Sequence, residues 1–295
     1  MGNDSLFKTY SLTIIAIILW GFSFVWTNDI LQHGVQPFTL LFTRLALAGL
    51  LLFIYSKATG KLQKVPFKDI KLMFLMAFFE PFIYFIGETY GMVATGSAVL
   101  AAVIIATIPI FCMFAEKFLY KVPYTIYKIL GTAITIPGIL MVIMKGNEST
   151  SVDHIYGIAL LFLAVAGATG YASVVKKLSG KYNPTTIATY QFIIGAILFL
   201  PFFLAFGLDG LDATFFSKDV ILPLVYLAVL CSCLAFVCWV TSIKNLGMMK
   251  ANIFSALIPA VSAVGAAMLG QETITLVTAA GIAVVIGGVI IAQKN

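Results

Sequence analysis

Residues 131–138 read GTAITIPG and residues 281–288 read GIAVVIGG, with the same residue at four of the eight positions. The offset of 150 residues between these segments also relates Pro109 to Pro259. Proline and glycine matches that keep one order and one offset indicate an internal repeat. We therefore predict that the chain consists of two related halves, residues 1–147 and residues 148–295.

Long apolar runs extend on both sides of the repeated segments. The chain is 61% hydrophobic and 10% charged, with a mean hydropathy of +1.05, and these values exclude an ordinary soluble domain. Because a helix needs roughly 20 apolar residues to cross the hydrocarbon core, the runs predict ten transmembrane helices. The predicted spans are residues 10–29, 37–56, 70–91, 96–115, 126–144, 156–175, 185–205, 220–242, 251–270 and 275–292.

The basic residues lie almost entirely on one side of these spans. If the N-terminus is cytoplasmic, the inner segments hold 15 of the 18 Lys and Arg residues, and the outer segments hold only Lys145 and Lys218. This is the distribution that the positive-inside rule describes, and it predicts that both termini are cytoplasmic. The net charge of +6 arises in the inner segments, so it indicates topology and not nucleic-acid binding.

Each half has five predicted spans, and five is an odd number. The second half must therefore enter the membrane with the opposite orientation to the first. We predict an all-α polytopic membrane protein whose ten transmembrane helices form a 5+5 inverted-topology repeat. This architecture is typical of secondary transporters, which place the substrate site near the midplane, between the halves.

Several short motifs occur in a fixed order along the chain. They are WGFSF at 20–24, RLALA at 44–48, ATGSAVLA at 94–101 with Pro109, KAN at 250–252, IPA at 258–260, LGQE at 269–272 and a glycine-rich last helix. With these motifs the chain resembles the drug/metabolite transporter superfamily, in its ten-helix EamA-like branch, over essentially its whole length.

The resemblance implies two EamA-like five-helix repeats and export of a small molecule by alternating access. It also implies a bacterial inner (plasma) membrane location. Three positions depart from the family pattern. The family has adjacent Gly and Glu after the proline-containing helix, but here Gln271 separates Gly270 from Glu272. In the first half, Val122 occupies the position that corresponds to Glu272. Ala168 replaces the tryptophan typical of the sixth span.

Four ionisable or polar residues within the spans are candidates for substrate or proton binding. Arg44 lies roughly 10 Å deep in its helix, at 1.5 Å per residue. Three roles are open to it: it can bind an anionic group of the substrate, extend its side chain to the membrane surface, or form a structural ion pair. Glu80, Tyr84 and Glu88 share one helical stripe, and Pro81 predicts a kink beside Glu80. The carboxylates are suited to binding an amine, to proton coupling, or to pairing with Arg44.

A second set of residues is predicted to line the pathway or to shape the helices. Aromatic and polar side chains suit cationic or planar substrates, although most aromatic residues must pack against helices or lipid. The pathway set adds Trp20, Ser23, Tyr171, Tyr190, Gln191 and Trp239. Pro109 and Pro259 are interpreted as kinks or as hinges. Gly131, Gly138, Gly281 and Gly288 are expected to let two helices pack closely as a scaffold.

Together these patterns predict a secondary transporter that moves a small amino-acid-like or amphipathic metabolite, with the bilayer and protons as further partners. The alternatives are an uptake symporter or exchanger on the same fold and, in a different class, a membrane enzyme or assembly factor. The sequence shows no convergent nucleophile–base pair, which argues against an enzyme. We expect no cofactor and no metal.

The charge distribution makes the topology testable. In a cysteine-free background, single cysteines at Lys64 and Lys177 should resist an impermeant thiol reagent applied from outside. Cysteines at Ser149 and Asp212 should react, because the predicted topology places both residues outside. Labelling of position 64 in intact cells would contradict both the orientation and the span count.

Overall fold

The computed structural model describes residues 3–120, 125–144 and 151–292, and the regular elements within these ranges are all helices. The first half contains α1 (Asn3–Gln32), α2 (Pro37–Ala58), α3 (Phe67–Ala77), α4 (Tyr84–Thr95), α5 (Ala98–Ile105), α6 (Ile108–Tyr120) and α7 (Ile126–Ile143). The second half contains α8 (Val152–Ser179), α9 (Pro184–Phe206), α10 (Lys218–Tyr226), α11 (Ala235–Leu246), α12 (Met248–Ile253), α13 (Ile258–Met268) and α14 (Leu276–Ala292). The predicted boundary between the halves, after residue 147, lies outside the described residues.

These fourteen helices form ten spans because four spans are interrupted. Within the described residues, nine spans are at least 18 residues long and apolar enough to cross a membrane. The tenth, α14, has 17 residues, which corresponds to about 25 Å of helix and is near the lower limit for a crossing. The predicted all-α membrane protein with ten transmembrane helices is therefore confirmed.

The interruptions occur at corresponding places in the two halves. In the third span a π-helical segment, Phe78–Ile83, joins α3 to α4, and in the eighth span Leu227–Leu234 joins α10 to α11. The fourth and ninth spans break at residues 106–107 and at the 3₁₀ turn Phe254–Leu257. Pro109 and Pro259 each follow a break as the second residue of the next helix, where the missing N–H has no intrahelical partner to lose.

Helices of one half pack against helices of the other. The hydroxyl of Thr39 on α2 donates to the carbonyl of Gly207, just beyond α9, at 2.5 Å, and Gly49 lies against Phe192 of α9. The start of α2 thus contacts the end of α9, and later residues of α2 contact earlier residues of α9, so the two helices are antiparallel. In the same way α4 packs on α8, and α1 packs on α11. The repeat relates α2 to α9 directly, and it relates the α4–α8 contact to the α1–α11 contact, as expected for an inverted repeat.

Small residues set the distance between α7 and α14. Gly131 lies against Gly288 and Ala292, whereas Gly138 lies against Gly281 and Val285, so this pair is also antiparallel. A Cβ at Gly288 would lie 2.8 Å from the carbonyl oxygen of Gly131, closer than ordinary packing allows. The four glycines therefore bring the two backbones into contact, and none of them lines the cavity described below.

The two ends of the bundle differ in charge. The basic end contains the connections at 59–66 and 180–183, with exposed side chains at Lys61, Lys64 and Lys181. There Asp69 accepts hydrogen bonds from the ammonium of Lys181 at 2.9 Å and from the hydroxyl of Tyr182 at 2.7 Å, which ties the third span to the second half. The opposite end contains the connections at 33–36, 96–97, 207–217 and 269–275.

Two adjacent glycines of α14 provide a matched test of this packing. Gly288→Ala should destabilise the protein by about 1–3 kcal/mol, because the new methyl group overpacks against α7. Gly287→Ala should be neutral or slightly stabilising, since nothing lies within 4 Å of its Cβ position. Both variants gain the same helix propensity, so the difference between their thermal unfolding midpoints in detergent reports the packing. Equal unfolding midpoints for the two variants would contradict the close contact between α7 and α14 at Gly288.

Candidate functional site

A cavity lies between the two halves, near the middle of the spans. The first, second, third and fourth spans line it from one half, and the sixth, eighth and ninth spans line it from the other. The space that the centre of a water molecule can reach is about 50 Å³, so the cavity is narrow and nearly filled by its own side chains. The breaks in the fourth and ninth spans border it, with Ile105 and Ile108 on one side and Asn252, Ser255 and Ile258 on the other.

Arg44 is the one basic residue of the cavity lining, and it is only 2% exposed. Its Nε donates a hydrogen bond to the hydroxyl oxygen of Ser232 at 3.0 Å, and its Nη2 donates to the hydroxyl oxygen of Ser23 at 3.4 Å. The guanidinium lies 4.5 Å from the ring centre of Phe85. Ser232 belongs to the π-helical segment of the eighth span, so both halves hold Arg44 in position.

Glu80 occupies the break in the third span. Its backbone is extended, with φ −148° and ψ 115°, inside an otherwise helical segment, and its side chain is 6% exposed. It lines the cavity, and no described residue hydrogen bonds to its carboxylate. The interrupted helix therefore presents an acidic group with its full hydrogen-bonding capacity available.

Glu88 lies two helical turns beyond Glu80, near the depth of Arg44. The hydroxyl of Tyr84 donates to Oε1 of Glu88 at 3.0 Å, whereas Oε2 is buried and has no hydrogen-bond partner. Neither Glu80 nor Glu88 forms an ion pair with Arg44 within 4.0 Å. The direct Arg44–Glu88 pair considered from the sequence is therefore not formed.

Two tryptophans from different halves form the aromatic wall of the cavity. The ring centres of Trp20 and Trp239 are 5.0 Å apart, and Trp20 is equally close to Phe236. The indole N–H of Trp20 donates to the backbone carbonyl of Cys231 at 3.1 Å, which fixes the plane of its ring. The cavity thus combines rigid apolar faces with unpaired charged groups.

The structure brings together eight of the ten residues predicted for the pathway. The eight that line the cavity are Trp20, Ser23, Arg44, Glu80, Tyr84, Glu88, Tyr171 and Trp239. Gln191 and Tyr190 do not line it. Gln191 is fully buried behind the wall, where its Oε1 accepts a hydrogen bond from the hydroxyl of Tyr171 at 3.1 Å. Tyr190 points to a surface groove beside Lys57 and Lys64, because adjacent helical residues point in different directions.

Sequence reasoning missed Ser232, which accepts a hydrogen bond from Arg44, and two residues that line the cavity, Asn252 and Ser255. Ser232 lies in a run of small residues, LAVLCSCL, that carries no motif of its own. Asn252 is the last residue of the KAN motif, and Ser255 lies in the 3₁₀ turn that follows. Pro259 was the sequence feature that could have indicated a helix break, and hence cavity-lining residues, at these positions. Among the described residues, no group of three or more His, Cys, Asp or Glu side chains could hold a metal ion.

At the opposite end of the bundle, the connection between α13 and α14 contacts the fourth and first spans. Both carboxylate oxygens of Glu272 accept hydrogen bonds at the start of α5, one from the hydroxyl of Ser97 at 2.9 Å and one from the backbone N–H of Val99 at 3.1 Å. Gln271 binds the first span, since its Nε2 donates to the carbonyl of Val25 at 3.1 Å. The LGQE motif thus connects three spans at this end.

A family model described as the EamA-like transporter family matches residues 7–144 and again residues 155–293. The chain belongs to the EamA-like transporter family. An uncharacterized transporter of Archaeoglobus fulgidus is 26% identical over 98% of this chain and 99% of its own length. A protein of Salmonella typhimurium named "Probable amino-acid metabolite efflux pump" is 25% identical over 95% of this chain and 93% of its own length.

A solved crystal structure shares the fold, with a TM-score of 0.74 and 15% sequence identity over 97% of this chain and 98% of that one. The family identifies this chain as an integral membrane transporter. In this EamA-like transporter, the two matched segments meet at the cavity that contains Arg44 and Glu80.

The separation of Arg44 from the carboxylates predicts how variants of this transporter behave. Arg44→Ala should weaken substrate binding about tenfold to 100-fold, the loss expected for a charge-assisted contact. Arg44→Ala combined with Glu88→Ala should not restore binding, because no direct pair exists to be removed together. Binding and thermal stability should be measured on both proteins, with a substrate found by thermal-shift screening. Recovery by a stably folded double variant would show that Arg44 has a structural role only.

Proposed function

We propose that this transporter exports a small amino-acid-like metabolite by alternating access. The observation that carries the proposal is the presence of Arg44 and Glu80 in one buried cavity without an ion pair between them. Charged side chains inside transmembrane spans are unfavourable, and they characteristically mark a substrate or ion pathway. A zwitterionic substrate supplies the partner that each of these two groups lacks.

Arg44 is suited to a carboxylate. A guanidinium has five N–H donors, and two of them are used by Ser232 and Ser23. The remaining donors allow a two-point contact with a carboxylate group of the substrate. Phe85 and the two serines restrict the side chain before the substrate arrives, which lowers the conformational entropy lost on binding.

Glu80 is suited to the amino group of the same substrate. Its carboxylate has no protein donor, and the aromatic wall formed by Trp20 and Trp239 completes a site for an apolar or cationic substituent. The narrow cavity favours a small substrate. The Salmonella typhimurium relative whose name refers to amino-acid metabolite efflux supports this substrate class and the direction of export.

The paired helix breaks support alternating access. The third and eighth spans, and the fourth and ninth, are interrupted at equivalent positions around the cavity. Such discontinuous helices let one half move against the other about a fixed site. In this mechanism Pro109 and Pro259 act as hinges.

We further propose that a proton moves against the substrate and binds Glu80 or Glu88. Two carboxylates in one low-dielectric cavity can exchange protons as the site opens to either side. The proposed setting is a bacterial inner membrane with the basic end and both termini in the cytoplasm, as the positive-inside distribution indicates.

Reconstituted protein provides the direct test. A thermal-shift screen against amino acids, nucleosides, polyamines and drugs should give the largest stabilisation with small zwitterionic amino acids. In proteoliposomes, a pH gradient should then drive the ligand in the direction opposite to the proton flux. Movement of the ligand in the same direction as the protons would indicate an uptake symporter. A transport rate that does not change with the pH gradient would exclude proton coupling.

Glu80→Gln should abolish proton-driven transport while the protein still folds, because the amide keeps the shape of the side chain but cannot take up a proton. We expect at least a tenfold fall in the gradient-driven rate, measured in proteoliposomes. Asp153→Asn is the matched control, since Asp153 is an exposed carboxylate away from the cavity. Wild-type rate and pH dependence in Glu80→Gln would exclude a coupling role for Glu80.

A further inference from the structure

A lysine is buried in an apolar groove on the outer surface of the bundle. Lys128, the third residue of α7, is 6% exposed, and no described residue hydrogen bonds to its ammonium or forms an ion pair with it. It lines a groove between α6 and α7 whose other walls include Phe114, Ile129 and Ile136. These three side chains are 40%, 57% and 54% exposed, so the groove faces the lipid. A buried cation with no anionic partner among the described residues is energetically unfavourable.

The start of α7 adds further positive potential. Thr125 is the N-cap residue, but its side chain makes no capping hydrogen bond, and the N–H groups of Ile126 and Tyr127 have no described acceptor. A helix N-terminus with free N–H groups attracts anions.

The position of the groove identifies the anion. Its polar end lies where α7 begins, at the basic end of the bundle, which is the depth of lipid headgroups. Its apolar floor continues along α7 through Ala133 to Ile136, over about two helical turns. The space that the centre of a water molecule can reach is about 240 Å³, larger than in the central cavity. A ligand with a phosphate at one end and a hydrocarbon chain at the other matches both ends of the groove.

We propose that this groove binds one anionic phospholipid. The phosphate group lies against the ammonium of Lys128 and the N-terminus of α7, and an acyl chain lies in the groove. Basic pockets between transmembrane helices on the cytoplasmic side characteristically bind acidic headgroups. The site is separate from the substrate cavity, so it does not depend on which substrate is transported.

Lipid binding can be measured on the purified, delipidated transporter. Dioleoyl phosphatidylglycerol should remain bound in native mass spectrometry and raise the thermal unfolding midpoint more than dioleoyl phosphatidylcholine does. Glycerol phosphate without acyl chains should have no such effect, because the groove contributes to binding. Equal retention of the two lipids, or full stabilisation by glycerol phosphate alone, would overturn the proposal.

Three variants distinguish lipid binding in this groove from a general attraction of anionic lipids to the basic end of the bundle. Lys128→Gln should lower phosphatidylglycerol retention about fivefold, the effect of one basic residue near an anionic headgroup. Ala133→Trp should lower it by filling the exposed groove without changing any charge. Lys71→Gln, at an exposed lysine of the same end, should leave it unchanged. Equal losses in Lys128→Gln and Lys71→Gln, or wild-type retention in a folded Ala133→Trp, would refute the specific site.

Discussion

The burial of a guanidinium and two carboxylates at mid-span depth is the constraint on which the rest of the structure depends. Each charged residue at the centre of a membrane span is unfavourable by about 3 kcal/mol. Part of this penalty is offset where Ser23 and Ser232 accept hydrogen bonds from Arg44, and where Tyr84 donates to Glu88. The remainder requires a polar space, and the cavity between the two halves supplies it. This polar space also permits the helix breaks, because non-helical backbone is tolerated within a membrane only where protein or a polar cavity surrounds it.

The repeat is symmetric in its scaffold and asymmetric in its chemistry. The equivalent helices α2 and α9 pair across the halves, as do α7 and α14, and the breaks of the third and eighth spans correspond. The three charges, however, all belong to the first half, and the matching stretch of the eighth span, LAVLCSCLAFVC at 227–238, contains no acidic residue. The second half contributes Trp239 and the hydroxyl of Ser232 instead. In the proposed mechanism, the duplicated scaffold provides the movement, whereas the first half provides most of the substrate recognition.

The number and packing of the spans could be predicted from the sequence because hydropathy, lysine position and glycine spacing act within single helices. The glycines at 131, 138, 281 and 288 lie at the α7–α14 contact for this reason. The cavity lining was harder to predict, since it depends on side-chain direction. Gln191 and Tyr190 are neighbours on α9, and neither lines the cavity: Gln191 lies behind Tyr171, and Tyr190 lines a surface groove. Ser232 could not be found by any motif, because its role depends on Arg44, which is 188 residues away along the chain.

In the proposed alternating-access mechanism, the two ends of the bundle open by breaking different contacts. At the opposite end, Glu272 caps the start of α5, so opening there breaks two hydrogen bonds to a carboxylate. The position related to Glu272 by the repeat is Val122, whose side chain cannot accept a hydrogen bond, and α12, the counterpart of α5, begins after Gly247 without a side-chain cap. A carboxylate contact to a helix N-terminus is typically stabilising by about 0.5–2 kcal/mol. The sequence therefore strengthens the closure at the opposite end and omits the equivalent contact at the basic end, and this difference biases an otherwise symmetric fold.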